Sequence, residues 1–322
     1  MFWQTHNIEK ASQNLQVVST EEDDGVFVMK YQSLGFGFEC RPLGGADDSV
    51  QSRINNFLNN DWPVGTIIQY CLFSTDNIFK ETNAFKYQRI NHPDPLFDEI
   101  TKKRIEYLQE HTLKAIDTSS NLKVRDIRLV VTFRFPHKGE LPTSSDFDKA
   151  RDFQVLASKG MSSYGMDPQI ITADRYVNMM DDLLNHGKDA FWRENTTREA
   201  VSDRTLNEQI FDEDKLYEVT DESVIIGDQH IFTLGVKKFP EAAYPGFGIN
   251  YLSDVMTGAR GLKSNFLINC TIHYPEQQKT KSKLDAKRQF TTSQNTGPLR
   301  KFVPILGLKN HGFNVLNEAL DD

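Results

Sequence analysis

The chain has 322 residues, a formal net charge of −8, and 38% hydrophobic and 25% charged residues. That balance suits one large globular domain or two smaller ones, with a core that needs no metal or disulfide staple. The acidic excess argues against a nucleic-acid role, which requires a concentrated basic face. The three scattered cysteines (Cys40, Cys71 and Cys270) give neither a disulfide framework nor zinc spacing, so a reducing cytoplasm is implied.

The opening Met1-Phe2-Trp3-Gln4-Thr5-His6 lacks the basic region and apolar core of a signal peptide. No stretch approaches the roughly twenty apolar residues that cross a bilayer, so a soluble chain is expected. Residues 1–24 are polar, end in Glu21-Glu22-Asp23-Asp24 and read as a loose leader. Val26–Tyr31 and Phe36–Cys40 then flank a short glycine-containing turn, the pattern of a β-hairpin. Asp47 or Ser49 caps a helix carrying Val50, Ile54, Phe57 and Leu58 on one face, and Trp62-Pro63 ends it. The run Ile67–Phe73 shows little alternation and reads as a strand covered on both faces.

Asp94-Pro95 starts the next helix, through Ile100 and Leu108 toward Ile116. In Leu129–Phe135, Val131, Phe133 and Phe135 alternate with Thr132 and Arg134, which predicts a strand. Ser145-Asp146-Phe147-Asp148 resembles a capping box and opens a helix through Phe153 and Leu156. A further helix aligns Tyr176, Met179, Met180, Leu183 and Leu184 on one stripe and stops near Gly187.

Residues 188–214 are charged and polar and mark a linker between subdomains 25–187 and 215–322. Beyond it come strands at Ser223–Ile226 and His230–Lys237, a connection at Pro240–Gly246 and a short helix near Ile249–Met256. In Phe266–Tyr274 the residues Phe266, Ile268, Cys270, Ile272 and Tyr274 point one way, as in a strand. A polar helix at Glu276–Gln289 and an interrupted helical stretch within Pro298–Leu320 complete the chain. Mixed strands and helices imply an α+β fold, with one twisted, mainly antiparallel sheet per half and helices packed on one face.

The search for chemistry finds no recognisable active site. Gly258-Ala259-Arg260-Gly261-Leu262-Lys263-Ser264 is the nearest approach to a nucleotide loop. Leu262 separates the second glycine from the lysine, and the segment precedes a strand rather than following one, so it reads as a turn. Gly35-Phe36-Gly37 and Gly246-Phe247-Gly248 complete no dinucleotide fingerprint and read as structural. The eight histidines have no metal-ligand spacing. His273 lies three residues from Cys270 on one strand, which puts the two side chains on opposite faces and out of reach of one another. Buried small hydrophobes are the reading for all three cysteines. A stand-alone cysteine hydrolase drawing on a distant histidine such as His137 or His230 stays open as the alternative. Asp47-Asp48 and Asp181-Asp182 are explained by capping and solvation. Lys279, Lys281 and Lys283, with Lys287 and Arg288, have no interleaved aromatics and read as a solvated helix face.

One set of residues is more specific. Gly25-Val26-Phe27, Ser33-Leu34-Gly35-Phe36, Glu39 and Pro42-Leu43-Gly44-Gly45-Ala46-Asp47 resemble the opening of the TraC proteins of F-type conjugative type IV secretion systems. The likeness continues collinearly through Trp62-Pro63-Val64-Gly65-Thr66, the strand at Leu129, Thr233-Leu234-Gly235-Val236 and the strand Phe266–Tyr274, from about Gly25 to Asn310. The resemblance implies the non-catalytic N-terminal part of a secretion ATPase, acting in pilus assembly and DNA transfer. In such proteins a later RecA-like domain, absent from this chain, would bind ATP and Mg. No Walker lysine or catalytic carboxylate carries over to any position here, so no cofactor is expected. Phe302–Asp322 resembles a lead-in to further protein. The family's N-terminal region docks at the cytoplasmic face of the inner membrane against small TraL-like subunits and contributes to oligomer contacts, with no direct nucleic acid. Docking requires an exposed apolar patch or strand edge. The expected interface is the first hairpin, with Phe36 and Phe38, or the helix carrying Tyr176, Met179, Met180, Leu183 and Leu184.

Overall fold

Strands β2 (Val26–Met29) and β3 (Ser33–Cys40) form the predicted hairpin, with Val26 opposite Phe36 and Met29 opposite Ser33. In this computed structural model the described residues are 12, 15–21, 24–43, 45, 47–90, 94–117, 121–185, 190–210, 217–220, 222–226, 229–235 and 262–296. The turn is Lys30–Gln32, where Tyr31 and Gln32 take left-handed φ values of 62° and 50°. Positive φ at two successive residues matches the right-handed twist of the flanking strands. Gly35, the glycine expected in the turn, lies instead within β3. A side chain on Gly35 would meet the Phe133 carbonyl oxygen at 2.7 Å and the Met29 sulfur at 2.6 Å, so close approach demands glycine there. Strand β1 (Val17–Thr20) pairs antiparallel with β2, so the segment expected as a loose leader supplies an edge strand.

The main sheet runs β1-β2-β3-β5-β4-β10, where β4 is Ile67–Thr75, β5 Asp126–Pro136 and β10 Phe266–His273. A short β6 (Gln169–Ile170) pairs with Phe38 and Glu39 of β3. The β3–β5 pairing is antiparallel and unbroken from Ser33↔Pro136 to Cys40↔Leu129. Gln69 bonds Thr271 and Cys71 bonds Asn269, so positions that rise along β4 fall along β10, and these two strands are antiparallel as well. The sequence assigns each half its own sheet. The structure instead joins the second half's longest strand to the first half's sheet.

Helices cover both faces of this sheet rather than the single face expected. Val130 and Val131 are adjacent on β5, so they point to opposite sides, and both are buried. On the Val131 side, α1 (Asp48–Leu58) and α4 (Ser144–Ser163) pack against an aromatic layer. The Phe57 ring stands 6.2 Å from Phe133 and 5.8 Å from Tyr164, and Phe135 stands 5.7 Å from Phe153. On the Val130 side, α5 (Ala173–Leu184) brings Tyr176 and Val177 against Phe27 and Ile171.

The caps follow local chemistry. Asp47 accepts from Val50 N at 2.8 Å to start α1, and Asp94 accepts from Leu96 N at 2.9 Å to start α3 (Pro95–Leu113). The capping pair of α4 is Thr143 with Asp146, two residues before the expected one: Asp146 accepts from Thr143 N at 3.0 Å and Thr143 Oγ1 at 2.7 Å. Helix α2 (Phe79–Tyr87) is short and weakly patterned and is absent from the sequence reading.

Residues 190–210 are packed rather than linker-like. They hold two short 3₁₀ turns, Phe191–Glu194 and Leu206–Gln209, and bury Trp192, Leu206 and Ile210. The Trp192 indole donates to the Asn185 carbonyl at 2.9 Å. A separate antiparallel meander comprises β7 (Tyr217–Val219), β8 (Val224–Ile226) and β9 (Gln229–Ile231). The chain divides into two compact units, one of Met1–Asp61 with Ile68–Ile272 and one of Trp62–Ile67 with His273–Asp322, rather than at 188–214. In the second unit Gly65 N donates to Tyr274 O at 2.8 Å, and Tyr274 N to Thr66 O at 2.9 Å. Helix α6 (Gln277–Thr296) follows. The connection at 240–246, the helix near 249–256 and the helical stretch within 298–320 lie outside the described residues.

Phe133 touches the Phe36, Phe38 and Phe57 rings at the centre of the aromatic layer. Phe133→Ala is expected to cost about 3–5 kcal/mol in urea unfolding. Leu141→Ala, at an exposed site, is expected to cost less than about 0.5 kcal/mol. Equal small losses for the two variants would contradict this packing.

Candidate functional site

Phe36 and Phe38, expected at an exposed interface, are core residues. Their rings pack among themselves and on Phe133, with Phe36 stacked on Phe133 at 4.9 Å, so neither is open to a partner. Tyr176 is also buried, 5.4 Å from the Phe27 ring. Met179, Met180 and Leu184 are partly buried against the same cluster of Phe27, Val130, Ile171, Leu206 and Ile210, and Leu183 is half-buried. The structure therefore brings the α5 stripe together, on the opposite face of the sheet from Phe36 and Phe38. Most of the stripe is used internally.

The same helix carries the most concentrated charge chemistry in the described residues. The sequence reads Asp181 and Asp182 as solvated, yet both are buried. Asp182 accepts from Thr75 Oγ1 at 2.8 Å and from Arg128 Nη1 at 3.0 Å, while Arg128 Nε donates to Asp126 at 2.6 Å. Asp181 pairs with Arg198 at 3.1 Å and accepts from the Asn185 amide. Nearby, Asp76 pairs with Arg193 at 2.8 Å and accepts from Asn265 Nδ2 at 2.9 Å. These pairs tie the end of β4, the start of β5, α5 and the 190–198 segment together. They also explain why Arg193 and Arg198, within an otherwise exposed charged stretch, turn inward.

Burial pushes the Asp182 carboxyl up to about 6, against the opposing pull of Arg128 and the Thr75 hydrogen bond. At Asp76 burial acts upward too, but the hydrogen bonds from Arg193 and Asn265 and the Arg193 charge outweigh it and hold the carboxyl low. Asp76 and Asp181, engaged by guanidinium and amide donors, clamp these segments to one another.

Two of the three thiols, Cys40 and Cys71, are poorly placed for nucleophilic chemistry. Burial, with the Glu39 and Asp167 charges adding, pushes Cys40 up to about 12, and its hydrogen bond runs to the Phe38 carbonyl. Burial also raises Cys71, which donates to Asn269 Oδ1 at 3.4 Å. A thiol held neutral attacks slowly, since the thiolate is the nucleophile. Cys270, on the strand that ends the order of the sheet, is exposed rather than buried. Among the described residues no group of three His, Cys, Asp or Glu is arranged to hold a metal ion. No described helix is long and apolar enough to cross a membrane. Of the glycine segment at 258–264 only Leu262, Lys263 and Ser264 are described, and Gly246–Gly248 lies outside the described residues.

The surface feature that sequence reasoning missed is α3. Its inward side is lined by Thr101, Ile105, Leu108 and Thr112, while Leu96, Phe97, Ile100 and Tyr107 stand in solvent, as do Tyr87 at the end of α2 and Ile90 beyond it. Around these residues Arg89 stacks over Phe85 at 3.5 Å, Arg104 lies over the same ring at 5.3 Å, and Tyr107 stacks on His111 at 4.1 Å. The helical spacing of Leu96, Ile100 and Tyr107 was readable. Only the three-dimensional packing reveals that a neighbouring, more polar stripe is the buried one. Contiguous exposed apolar side chains of this kind mark contact surfaces.

A sheet covered on both faces, clamped by buried ion pairs, with exposed apolar side chains on α3, defines an α+β protein. Comparison with known proteins makes the relationship specific. The model for the TraC protein family matches residues 12–322, and the chain belongs to this family of conjugative type IV secretion. Protein TraC of Escherichia coli (strain K12) is 19% identical over 314 residues, an alignment that covers 93% of this chain and 35% of that relative. The chain thus spans about a third of the length of the curated relative it matches.

The elevated Asp182 gives a pH signature. From the ordinary 3.8 up to about 6 the folded chain binds this proton more tightly than the unfolded chain, so the group's contribution to stability falls as pH rises through that window. Asp182→Asn removes the titration. Relative to the variant, wild type is expected to lose up to about 1.4 kcal/mol per pH unit as pH rises across the window. A flat difference, or one that grows in favour of wild type, would contradict the assignment.

Proposed function

We propose that this chain is a non-catalytic docking and assembly module of a conjugative type IV secretion ATPase, acting in pilus assembly and DNA transfer. The observation that carries the reading is the family match over residues 12–322 of a chain that spans only about a third of its E. coli relative. Among the described residues Asp76, Asp181 and Asp182 are held in internal ion pairs while α3 leaves apolar side chains outside, which supports contact-making over turnover. In this reading ATP and Mg are bound by protein beyond these residues. The module holds the motor at the cytoplasmic face of the inner membrane through small TraL-like subunits. The alternative of a cysteine-dependent hydrolase is disfavoured by the raised Cys40 and Cys71 thiols.

The test is competition. Overproducing the 322-residue chain in donor cells is expected to displace the full-length ATPase from its dock, lower plasmid transfer at least about tenfold, and allow co-purification with an inner-membrane secretion subunit. Unchanged transfer together with no co-purified subunit would overturn the docking role.

A further inference from the structure

One side of α5 faces the chain's own 190–210 segment rather than the sheet. Asp174, Asn178 and Asp181 recur at helical spacing and so lie along that side together. Residues 198–200 are held against them in a particular way. The Asn178 side-chain amide donates to the Arg198 carbonyl at 2.7 Å and accepts from Arg198 N at 2.7 Å. Asp174 accepts from Ala200 N at 2.7 Å, and Asp181 pairs with the Arg198 guanidinium at 3.1 Å. Three of these four contacts go to main-chain groups at alternate residues, which an extended segment turns to the same side. Glu199 between them is exposed. Main-chain groups are the same in every sequence, so these contacts specify an extended segment with one arginine and leave its other side chains unread.

We propose that Asp174, Asn178 and Asp181 form a peptide-recognition site, filled here from within the chain by residues 198–200. An extended, arginine-bearing segment of another protein takes the site by displacing this internal occupant. Its arginine makes a charge-assisted contact with Asp181, which is buried. Asn178 sets the direction of the incoming chain. Its amide nitrogen also donates to the Asp174 carbonyl at 2.7 Å, which fixes which way the amide faces and therefore which side receives C=O and which receives N–H. Because the internal segment is tethered, it competes at an effective concentration on the order of mM, so a weak ligand does not displace it. The inference is independent of the docking role and concerns a different surface from α3.

Fluorescence anisotropy on the 322-residue chain tests it, with a labelled peptide copying Thr197-Arg198-Glu199-Ala200-Val201. Arg198→Ala and Ala200→Pro each loosen the internal occupant, the first by removing the guanidinium and the second by removing the N–H that Asp174 accepts. Each is expected to bind the peptide at least about tenfold more tightly than wild type. Adding Asn178→Ala to either variant, or replacing the peptide's arginine by alanine, is expected to weaken binding at least about tenfold. No binding by either loosened variant up to about 1 mM peptide overturns the site. So does binding that is indifferent to Asn178→Ala or to the peptide's arginine. Wild-type binding as tight as that of the variants overturns the internal occupancy. Ala200→Pro leaves the Arg198–Asp181 pair in place and keeps the test decisive if Arg198→Ala fails to fold. A chain that takes no peptide yet still co-purifies with the secretion subunit overturns the site and leaves the docking role standing.

Discussion

The fold depends on the eight-residue antiparallel pairing of β3 with β5, from Ser33↔Pro136 to Cys40↔Leu129. Because side chains alternate along both strands, that one register fixes which residues feed each of two cores. Phe36, Phe38, Val131 and Phe133 go to the aromatic layer under α1 and α4. Val130, with Phe27 from β2, goes to the layer under α5. A slip of one residue would exchange the two sets. The glycines of β3 belong to the same constraint, since Gly35 makes room for Met29 and Gly37 for Ile171 on the α5 side.

The α5 side inverts the usual arrangement of charge. Asp181 and Asp182 face inward, where Arg198 and Arg128 meet them, and Asp76 is met by Arg193. Such pairs add less net stability than an apolar core of the same volume, but removing one partner strands a buried charge at a cost of about 3–5 kcal/mol. They favour one way of closing α5 and the 190–198 segment over the sheet. Helix α3 shows the converse inversion, with threonines inside and leucine, isoleucine and tyrosine outside. The protein thus pairs charge in its interior and leaves part of its apolar side chains exposed.

Much of this was legible in the sequence. The hairpin, the Asp47 and Asp94 caps, the alternation of β5 and the strand at Phe266 all follow from local chemistry, and the structure has them. The α+β class follows from their mixture. What was not legible is the pairing of distant pieces. Nothing local says that β10 joins the sheet of the first half, or that the strand at Val17 lies inside a polar leader. The charged stretch at 193–199 looks like a linker until Asp76 and Asp181 are seen to neutralise it. The candidate interface failed for a related reason: an apolar stripe predicts a partner but not whether that partner is the chain's own sheet. Tyr176 found its partner inside, whereas Leu96 and Ile100 on α3 did not.

The chain belongs to the TraC family, and the function proposed for these residues is contact through exposed surfaces such as α3. The most direct measurement is site-specific photo-crosslinking in donor cells, with the reactive group at Ile100 and a control at exposed Leu141. The account predicts a covalent protein adduct from Ile100 and none from Leu141. No adduct from Ile100, or the same adduct from both positions, would contradict it.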